Sequence, residues 1–514
     1  MRIPDGDVGD VVAAAVEAGI TVFDTARAYG DGERLLAAAL VAAGAGSRAR
    51  IVTKGGMVRP EGAWIPDGRA KAIRADCEAS LTALEGLPVD LYLLHAPDPR
   101  TPWPTSVRAL ARLADEGLVR RVGLANVNRR RLDEALDLAP IAAVQVPLSP
   151  FDDRALRGGI VERCEEVGLA LLAHSPLGGP KRAGRVDAEE TLAWLLGLSP
   201  VVIPIPGARR PETARSAARA AAAAPAPRPR SSRARTPARS DTDVVLVMGI
   251  PGAGKSRIAA EYAARGYVRL NRDERGGSLR ELAGELHERL AAGDANAVLD
   301  NTYLTRAARN EVLEVAARHG APVRCVWVDT PLAQAQVNLV ERCLDRLGAL
   351  PTPEQLRGLA RREPGLLSPT SQMRAVRELE PPAADEGFAE IEHVRFERVS
   401  SGGAPGVFVA ASALRSGARP PEELADAPHL VFDWGDEDVA PLAARLRARV
   451  VETAVCRHPA GPPICWCRPP LPGLPLAFSR AHGVDPSVSV LVGTGPAHLT
   501  LANALGAGYV PVER

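Results

Sequence analysis

The feature that most constrains this 514-residue sequence is a glycine-rich loop between an apolar run and a helical pattern. Residues 244–248 read Val-Val-Leu-Val-Met, which is typical of a buried strand, and Gly249 to Ser256 read Gly-Ile-Pro-Gly-Ala-Gly-Lys-Ser. Glycines let backbone N–H groups face phosphate oxygens, and the following helix adds the positive end of its dipole. The segment therefore predicts a phosphate-binding loop within a P-loop NTPase α/β domain.

The residues of this loop have distinct expected roles. Gly249, Gly252 and Gly254 are expected to shape the loop, and Lys255 would reach the β- and γ-phosphate oxygens. Ser256 would hold Mg²⁺, so ATP and Mg²⁺ are the expected cofactors of this domain. The structural alternative is a glycine-rich turn that binds no nucleotide.

Two aspartates that follow short strands after the loop are candidates for a catalytic base. Asp273 ends the run Tyr-Val-Arg-Leu-Asn-Arg-Asp, and Asp300 follows Ala-Val-Leu. A carboxylate near the γ-phosphate can take the proton of an attacking hydroxyl. Either aspartate could instead cap the helix that follows it.

The runs GIPGAGKS, NRD, DNT and QVNLVER together resemble the kinase domain of polynucleotide kinases, over about residues 244–396. The resemblance implies a nucleic acid with a 5′-hydroxyl end as partner and Asp273 as the general base. It also implies Arg342 as a lid residue on the transferring phosphate, with Arg346 as a fallback, and Arg272 as a contact to the strand. Related small-molecule kinases share much of this outline, so a small acceptor is the alternative.

Length and composition divide the chain into about three domains. Ala221 to Asp243 is rich in Pro, Ser, Ala and Arg and has almost nothing to bury, so it predicts an extended linker. Its arginines, like the basic run at 357–363, would either be solvated or contact a polyanion. A softer boundary falls between Glu397 and Gly406. The predicted segments are a barrel at 1–220, a linker at 221–243, the kinase-like domain at 244–400 and a small Rossmann-like α/β module at 401–514.

Before the linker, seven β-rich runs alternate with helical patterns. Alternation of this kind predicts a parallel sheet covered by helices. Seven strands at this spacing suggest a (β/α) TIM-type barrel that lacks one strand and has its active site at the C-terminal strand ends. The runs are ITVFDTA, ARIVTKG, DLYLLHA, VRRVGLA, AAVQVPL, LALLAHS and VVIPIPG.

Four polar residues fall at or just past successive strand ends in this region, namely Asp24, Tyr29, Lys54 and His95. In a barrel those ends converge on one pocket, as acid–base chemistry requires. The Lys54 cation would lower the pKa of the Tyr29 phenol, and Asp24 would hold that lysine in place. His95 would orient a carbonyl group.

At these residues the sequence resembles the aldo-keto reductases, from about Gly19 to Glu212, through GITVFDTARAYG, VTKGG, LYLLHAP, VGLANVN, VQVPLSP, HSPLGG and VIPIPG. The resemblance implies a small carbonyl substrate, Tyr29 as the proton donor and NADPH across the barrel mouth. The residues it implies beside the cofactor are Asn126, Gln145, Ser175, Leu177 and Gly178. Arg209 and Arg210 follow the last strand, and their guanidinium groups suit the 2′-phosphate of NADP.

The sequence also departs from that family. The family's first, glycine-rich strand should precede the helix expected at Val11 to Ala18, and the sequence begins too late to supply it. Either the recorded start lies downstream of the true one, or the barrel is open and exposes strand edges. His174 stands where the family often has an aromatic residue under the nicotinamide, and Ala125 where a serine is common.

The C-terminal part gathers residue types that bind metals. Cys456, His458, Cys465 and Cys467 lie close together and pair as C-x-H and C-x-C. Three thiolates and one imidazole are a normal ligand set for structural zinc, and residues two apart in an extended chain point the same way. Zn²⁺ is therefore the expected ion, with free thiols as the alternative.

Residues 467–510 resemble the C-terminal half of haloacid-dehalogenase-type phosphatases, in particular their zinc-loop subgroup. These enzymes need two aspartates in a D-x-D pair, a lysine, and late acidic residues for Mg²⁺. The residues at those positions here are Asp433 and Gly435, Pro469, and Thr494 and His498. Without the carboxylates a magnesium site should not form, so a docking or scaffold role is expected.

Charge and cysteine usage bear on the cellular setting. The formal net charge of +1 argues neither for nor against a nucleic-acid partner. No apolar stretch reaches the roughly 18 residues that span a bilayer, so no membrane partner is expected. The N-terminus lacks the apolar core of a signal peptide, and seven dispersed cysteines fit a reducing cytoplasm.

Together these patterns predict a cytoplasmic multidomain enzyme that joins an aldo-keto-reductase-like barrel to an ATP- and Mg²⁺-dependent kinase similar to 5′-hydroxyl polynucleotide kinases. In that interpretation the barrel is a sensor or partner in nucleic-acid repair. One alternative is a metabolic NADPH-dependent carbonyl reductase with an attached small-molecule kinase. Another is a non-catalytic nucleotide-binding scaffold.

Overall fold

A computed structural model describes residues 5–179, 182–223, 242–293, 296–359, 363, 365–395 and 402–513. The chain forms two compact units, Met1–Ala234 and Arg235–Arg514. Most of the predicted linker, and the middle of the basic run at 357–363, lie outside the described residues. Within the described segments, no helix is both long and apolar enough to cross a bilayer.

The first unit alternates strands with helices. Its strands are β1 (Val22–Asp24), β2 (Arg50–Gly55), β3 (Met57–Val58), β4 (Ile65–Pro66), β5 (Val89–Leu94), β6 (Val122–Ala125), β7 (Ile141–Pro147), β8 (Ala170–His174) and β9 (Val202–Ile205). Its helices are α1 (Asp5–Glu17), α2 (Gly32–Ala42), α3 (Ala70–Ala83), α4 (Trp103–Asp115), α5 (Arg129–Leu136), α6 (Arg154–Arg157), α7 (Ile160–Val167), α8 (Ala188–Leu196) and α9 (Pro211–Ala223). Two short 3₁₀ turns lie at Arg27–Tyr29 and Pro60–Gly62.

All seven predicted strands of this unit are present and form one parallel sheet in the order β1-β2-β5-β6-β7-β8-β9. Helices cover its outer side because their apolar residues recur at helical spacing; on α3, for example, Ile73, Cys77 and Ser80 are buried. β3 and β4 form a separate antiparallel hairpin after β2. The near-closed sheet confirms the predicted TIM-type class, and in the described residues its edge strands β1 and β9 are not paired with each other.

The second unit contains two further sheets. Its strands are β10 (Asp243–Met248), β11 (Val268–Leu270), β12 (Asn296–Asp300), β13 (Val323–Asp329), β14 (Glu390–Arg395), β15 (Val407–Ala410), β16 (His429–Trp434), β17 (Val451–Cys456), β18 (Val490–Gly493) and β19 (Gly508–Pro511). Its helices are α10 (Lys255–Ala264), α11 (Arg272–Arg275), α12 (Leu279–Ala292), α13 (Arg306–Arg318), α14 (Leu332–Leu347), α15 (Pro353–Leu359), α16 (Pro369–Glu378), α17 (Ala411–Arg415), α18 (Ala440–Ala443), α19 (Gly473–His482) and α20 (Pro496–Leu505). Short 3₁₀ turns lie at Ala384–Glu386, Glu422–Leu424 and Pro486–Val488.

The P-loop sheet is parallel and has the order β11-β12-β10-β13-β14. Its central strand β10 is buried because Val244 to Met248 are apolar on both faces, and helices cover each side. α12 begins in a capping box, in which Ser278 and Glu281 satisfy each other's backbone N–H groups. The expected P-loop NTPase α/β domain is confirmed.

The C-terminal sheet is also parallel, in the order β17-β16-β15-β18-β19. The chain places β16 and β17 on one side of β15, and β18 and β19 on the other. The strand order therefore reverses between β15 and β18, and the crevice of this Rossmann-like module opens beyond the ends of those two strands. The structure therefore corrects the position assigned to Asp433. That residue lies on β16, one strand away from the crevice, and its carboxylate pairs with Arg415 at 2.9 Å.

The P-loop sheet and the C-terminal sheet share one hydrophobic core. Val340 on α14 packs in the same cluster as Phe408 on β15 and Trp466, which follows β17. Trp466 Nε1 donates to Leu367 O at 2.9 Å, and Thr370 Oγ1 donates to Pro463 O at 2.9 Å. The two sheets are therefore parts of one compact unit.

Candidate active sites

The mouth of the barrel holds an ion pair between two residues of the predicted tetrad. Asp24 ends β1, and Lys54 lies near the end of the neighbouring strand β2. Lys54 Nζ donates to Asp24 Oδ2 and to Thr25 O, each at 2.7 Å. The other carboxylate oxygen of Asp24 accepts from Gln145 Nε2 at 2.7 Å. Because only 1% of the lysine side chain is exposed, these contacts fix the ammonium group in place.

Tyr29 and His95 lie beside this ion pair. Their ring centroids are 5.8 Å apart with the planes nearly perpendicular, and Lys54 Nζ is 5.3 Å from the centre of the Tyr29 ring. His95 Nδ1 is buried and has no hydrogen-bond partner among the described residues. The structure thus brings all four predicted residues together, and it leaves one imidazole nitrogen unsatisfied, as a ligand-binding site often does.

The hairpin of β3 and β4 lies over Tyr29 and contributes two residues that sequence analysis missed. Trp64 has its ring centroid 6.1 Å from that of Tyr29 and 5.6 Å from that of His95. Arg59 stacks on Trp64, with its Cζ 4.4 Å from the ring centroid. The signal that could have found them is an aromatic and a cation in the loop that follows a predicted strand end.

Burial controls proton affinity in this pocket more than the neighbouring cation does. Burial and the Asp24 carboxylate raise the pKa of Tyr29 to about 12. The expectation that Lys54 would lower this pKa was wrong, because Asp24 at 2.7 Å already balances the lysine charge. Burial also lowers the pKa of Lys54, against the opposing effect of Asp24. Tyr29 therefore keeps its proton at neutral pH.

Burial, together with the positive charges of Lys54 and His174, lowers the pKa of His95 from 6.5 to about 4. Because the folded value lies below the unfolded one, the unfolded chain binds more protons in the window between these values. The stability contributed by neutral His95 is thus complete above the unfolded pKa. It is lost as the pH falls toward the folded pKa.

We therefore expect the free energy of unfolding of the wild type to fall by about 2 kcal/mol more than that of His95→Asn when the pH is lowered from about 7 to about 4.5. Asparagine keeps a polar side chain but cannot bind the proton. Urea unfolding of both full-length proteins at the two pH values measures the difference. Equal pH dependence in the two proteins would contradict the depressed histidine pKa.

The residues expected beside a cofactor form a polar network at the ends of β6 and β8. Asn126 Nδ2 donates to His95 O at 2.9 Å, and Asn126 Oδ1 lies 3.1 Å from His174 Nε2. His174 Nδ1 lies 3.2 Å from Ser175 Oγ. Asn126 and Ser175 both adopt positive φ, of 57° and 55°, which is costly for non-glycine residues and clusters at functional sites.

The remaining cofactor-side residues continue along the same strand ends. Gly178 also has a positive φ of 75°, and a Cβ there would lie 2.7 Å from Phe151 Cδ2. Leu177 packs against the barrel core. Arg209 and Arg210 are exposed between β9 and α9. Their pairing with a 2′-phosphate stays a prediction.

The P-loop follows β10, and its glycines are required by geometry. Gly249 has φ 152°, and a Cβ there would lie 2.7 Å from Val328 O. Gly252 has φ 85°, and its Cβ would lie 2.3 Å from Ala335 O. Gly254 is left-handed and caps α10, so the backbone N–H groups of Lys255 and Ser256 begin that helix. This arrangement can receive phosphate oxygens.

Three polar side chains from other elements hold the backbone of this loop, and sequence analysis did not identify them. Thr330 Oγ1 donates to Ala253 O at 2.8 Å, and Asn338 Nδ2 donates to Gly252 O at 2.8 Å. Gln372 Nε2 donates to Pro251 O at 3.1 Å. Loop carbonyls are thereby engaged on the protein side, which leaves the N–H groups to a ligand.

Lys255 is positioned within reach of several charges. Its Nζ donates to Ile250 O, a carbonyl of the same loop, at 2.9 Å. Burial lowers the pKa of Lys255 to about 8, opposed by Asp300 and Asp273 and assisted by Arg342. The charges of these three residues, which include the predicted base and lid residue, therefore affect the pKa of the lysine.

Neither candidate base caps a helix, so that alternative was wrong for both. Asn271 is the N-cap of α11, and its Oδ1 accepts from the backbone N of Asp273 at 2.7 Å. Asp300 is buried and accepts from Asn271 Nδ2 at 2.9 Å and from the Arg269 guanidinium. The Asp273 side chain is half exposed, so it is the carboxylate that an acceptor could reach.

The predicted arginines differ in their surroundings. Arg342 Nη1 donates to Gly365 O at 3.3 Å, and burial, then Arg346, lowers the pKa of Arg342. Arg346 lies 4.0 Å from the Glu363 carboxylate. Arg272 lies beside Asp273, with 3.9 Å between guanidinium and carboxylate. The charge of Arg342 is among those that act on the pKa of Lys255, and its lid role stays a prediction.

The four predicted zinc ligands come together at the end of β17. Their ligand atoms all lie within 4.8 Å of one another. Cys456 Sγ is 3.4 Å from His458 Nδ1, and Cys467 Sγ is 3.2 Å from the same nitrogen. Cys465 Sγ is 3.6 Å from Cys456 Sγ. Hydrogen bonds from the two neighbouring thiols lower the pKa of Cys465, so the cluster favours a thiolate.

The crevice of the C-terminal sheet is lined by hydroxyl and imidazole groups. Ser412 Oγ and Thr494 Oγ1 are 2.7 Å apart, and His498 Nδ1 accepts from Thr494 N at 3.1 Å. A magnesium site prefers carboxylate oxygens, and these three side chains offer none. The expectation that this module lacks phosphatase chemistry stays a prediction.

Two family models match separate parts of the chain. The model described as the aldo/keto reductase family matches residues 1–191, which include the tetrad. The model described as an AAA domain matches residues 244–363, which include the P-loop.

Individual relatives resemble the first unit. The aldo-keto reductase str7 from Strobilurus tenacellus is 35% identical over 170 residues, which cover 33% of this chain and 49% of that protein. An uncharacterized oxidoreductase from Schizosaccharomyces pombe is 31% identical over 210 residues, covering 38% of this chain and 67% of that protein. The chain thus spans about half the length of the first relative. The solved glycerol dehydrogenase of Gluconobacter oxydans is 25% identical with a TM-score of 0.38, covering 42% of this chain and 81% of that one.

Proposed function

This chain belongs to the aldo/keto reductase family through residues 1–191, and from that premise we propose that its first unit is an NADPH-dependent reductase of small carbonyl compounds. The observation that carries the proposal is the buried Lys54–Asp24 pair beside Tyr29 and His95. These four side chains offer a proton, a stabilising cation and a neutral hydrogen-bonding group around one point.

In this proposal the bound NADPH supplies a hydride to the carbonyl carbon. Tyr29 donates its phenolic proton to the carbonyl oxygen, so that an alcohol is released and solvent later returns the proton. Lys54 stabilises the transient phenolate, and Asp24 keeps the lysine oriented. His95, neutral because its pKa is about 4, orients the carbonyl without adding charge.

The polar residues at the barrel mouth fit a dinucleotide. Asn126 and Ser175 offer amide and hydroxyl groups to the nicotinamide end, and Gln145 orients Asp24. Arg209 and Arg210 are exposed cations suited to a 2′-phosphate. Loss of NADPH absorbance with a panel of aldehydes and ketones tests the proposal, with NADH as the comparison. No carbonyl-dependent oxidation across the panel would contradict it.

We also propose that the P-loop domain transfers phosphate from ATP and Mg²⁺ to an acceptor hydroxyl, with a 5′-hydroxyl nucleic acid as the preferred acceptor. The observation that carries this is the constrained loop, with Lys255 inside it and the exposed carboxylate of Asp273 close enough to act on that lysine. Asp273 would take the proton of the attacking hydroxyl, while Lys255 and Arg342 balance charge on the transferring phosphate.

Labelled ATP tests the acceptor class directly. The full chain is incubated with 5′-hydroxyl DNA and RNA oligonucleotides, matched 5′-phosphorylated oligonucleotides, and a set of small alcohols and nucleosides. We expect transfer to the 5′-hydroxyl oligonucleotides only, and only with Mg²⁺. Transfer confined to small molecules would show that the acceptor is a small molecule and not a nucleic acid. Binding of ATP without any transfer would support a scaffold role.

We further propose that Cys456, His458, Cys465 and Cys467 bind Zn²⁺, and that the chain works in a reducing cytoplasm, since none of the seven cysteines, all of which lie in the described residues, forms a disulfide. Tetrahedral zinc with Zn–S bonds of about 2.3 Å needs sulfur atoms about 3.7 Å apart. The observed separation of Cys456 and Cys465 sulfurs, 3.6 Å, fits that geometry. The ion would hold the loop that carries Trp466 into the shared core.

We expect chelation of this zinc to lower the melting temperature of the second unit by about 5 °C or more, because the loop would lose its cross-link. Scanning fluorimetry with and without chelator measures the shift, and elemental analysis counts the metal. The unfolding transition of the first unit serves as the internal control and should not move. A protein that carries no zinc, or that melts identically after chelation, would contradict the proposal.

A further inference from the structure

We infer that the Arg59 guanidinium, held on Trp64 above Tyr29, is a binding site for a carboxylate, and that the reductase prefers aldehydes carrying a carboxylate group. This inference rests on the proposed reductase function and adds the substrate class. It concerns the β3–β4 hairpin and not the tetrad itself.

The hairpin places a cation at the entrance to the pocket. Trp64 forms one wall, with its ring edge-on to both Tyr29 and His95 at 6.1 and 5.6 Å. Arg59 stacks on Trp64, with Cζ 4.4 Å from the ring centroid. The same indole ring therefore borders both the proton donor and the cation. The positive charge of Arg59 also acts on Tyr29, whose pKa it lowers against the larger effects of burial and Asp24.

Arg59 has no acidic partner among the described residues. A weak hydrogen bond runs from its Nε to Gly62 O at 3.5 Å, which leaves the two terminal nitrogens available. Among the acids in and after the hairpin, Glu61 forms no ion pair with Arg59 in the described residues, Asp67 pairs with Arg69 at 2.5 Å and Asp98 pairs with Arg100 at 3.0 Å. A guanidinium stacked on an aromatic face keeps its edge for a bidentate carboxylate.

The substrate class follows from this arrangement. The carbonyl oxygen must meet Tyr29 and His95, the middle of the molecule then lies against Trp64, and the far end reaches Arg59. An anionic group at that end gains a charge-assisted pair, whereas a neutral group of the same size does not. Stacking also holds Arg59 in one orientation before substrate arrives, which reduces the entropy cost of the contact.

The test compares para-carboxybenzaldehyde with its methyl ester, which differ in charge at one end. In the wild type we expect kcat/KM for the acid to exceed that for the ester by about 10-fold or more at low salt. Arg59→Gln should bring the ratio of kcat/KM for the acid to that for the ester to about one, and Arg59→Lys should retain part of the preference. Arg69→Gln is the matched control, since Arg69 lies at the base of the same hairpin and is already paired.

The outcomes separate this inference from the proposed function. Equal kcat/KM for acid and ester in the wild type, or a preference that survives Arg59→Gln, overturns the carboxylate site and leaves the reductase intact. If the wild type turns over neither aldehyde, the substrate class is overturned, and the reductase function is overturned with it only when the whole panel of aldehydes and ketones also gives no NADPH oxidation. Melting curves of each variant check that the exposed substitution leaves the fold unchanged.

Discussion

Tyr29→Phe is expected to lower kcat/KM for carbonyl reduction by about 10³-fold while NADPH affinity changes by less than about two-fold. The substitution removes one oxygen atom, which is the proton donor in the proposed reaction. Phenylalanine preserves the ring contacts with His95 and Trp64, so the pocket keeps its shape. Steady-state NADPH oxidation gives the rate, and a fluorescence titration gives cofactor affinity.

Tyr92→Phe is the matched control for this substitution. Tyr92 lies on β5 of the same barrel, is fully buried, and donates its hydroxyl to Ile73 O at 3.3 Å. Removing that hydroxyl should cost about 1 kcal/mol of stability and leave turnover within about two-fold. If both variants lose activity to the same extent, the effect is structural. If Tyr29→Phe retains full activity, Tyr29 is not the proton donor.

Lys255→Ala is expected to weaken ATP binding by about 10²-fold and to reduce phosphoryl transfer below detection. Lys255 is partly buried and its Nζ donates to a carbonyl of the loop; its pKa is lowered to about 8, and the negative charge of bound triphosphate would hold it protonated. Calorimetric titration with ATP and Mg²⁺ measures affinity, and the labelled-ATP assay measures transfer. A variant that binds ATP as the wild type does would contradict phosphate binding by this loop.

Two further variants separate binding from chemistry. Asp273→Asn should keep ATP affinity within about two-fold and lose transfer by about 10²-fold or more, because an amide cannot take the acceptor proton. Arg257→Ala removes a cation from α10, the helix that begins with Lys255. The Arg257 side chain is 68% exposed and lies 3.6 Å from Glu261. This variant should bind and transfer normally. Loss of ATP affinity in Arg257→Ala would show that the effect of Lys255→Ala reflects the general loss of positive charge on α10 and is not specific to Lys255.

Much of the fold was predictable because the decisive signals are local in sequence. Seven apolar runs separated by helical patterns specify a parallel barrel, and the strand-end rule brings Asp24, Lys54 and His95 to one mouth. The P-loop is specified by its glycines, which only an unusual backbone needs. In these cases each residue can be recognised from its neighbours in sequence, and the fold only brings the recognised residues to one place.

What could not be predicted depends on contacts between distant residues. Thr330 and Gln372 hold P-loop carbonyls that are 77 and 121 positions away in sequence, and no local pattern marks them. The direction of the Tyr29 pKa shift depends on burial and on a lysine already balanced by Asp24. The sequence around Asp433 suggested the first aspartate of the D-x-D pair, whereas the strand order places this residue one strand away from the crevice.

The core shared by α14 and β15 also bears on how this chain can change over generations. Trp466 and Phe408 pack against α14, the helix that carries Arg342 and Asn338. The segment after residue 402 therefore helps to keep α14 in place beside the P-loop. Residues of that segment outside the shared core could be replaced at little cost to folding. Deleting the segment itself would expose an apolar face of α14 to water, so a lineage that keeps the P-loop sheet folded would also keep this segment.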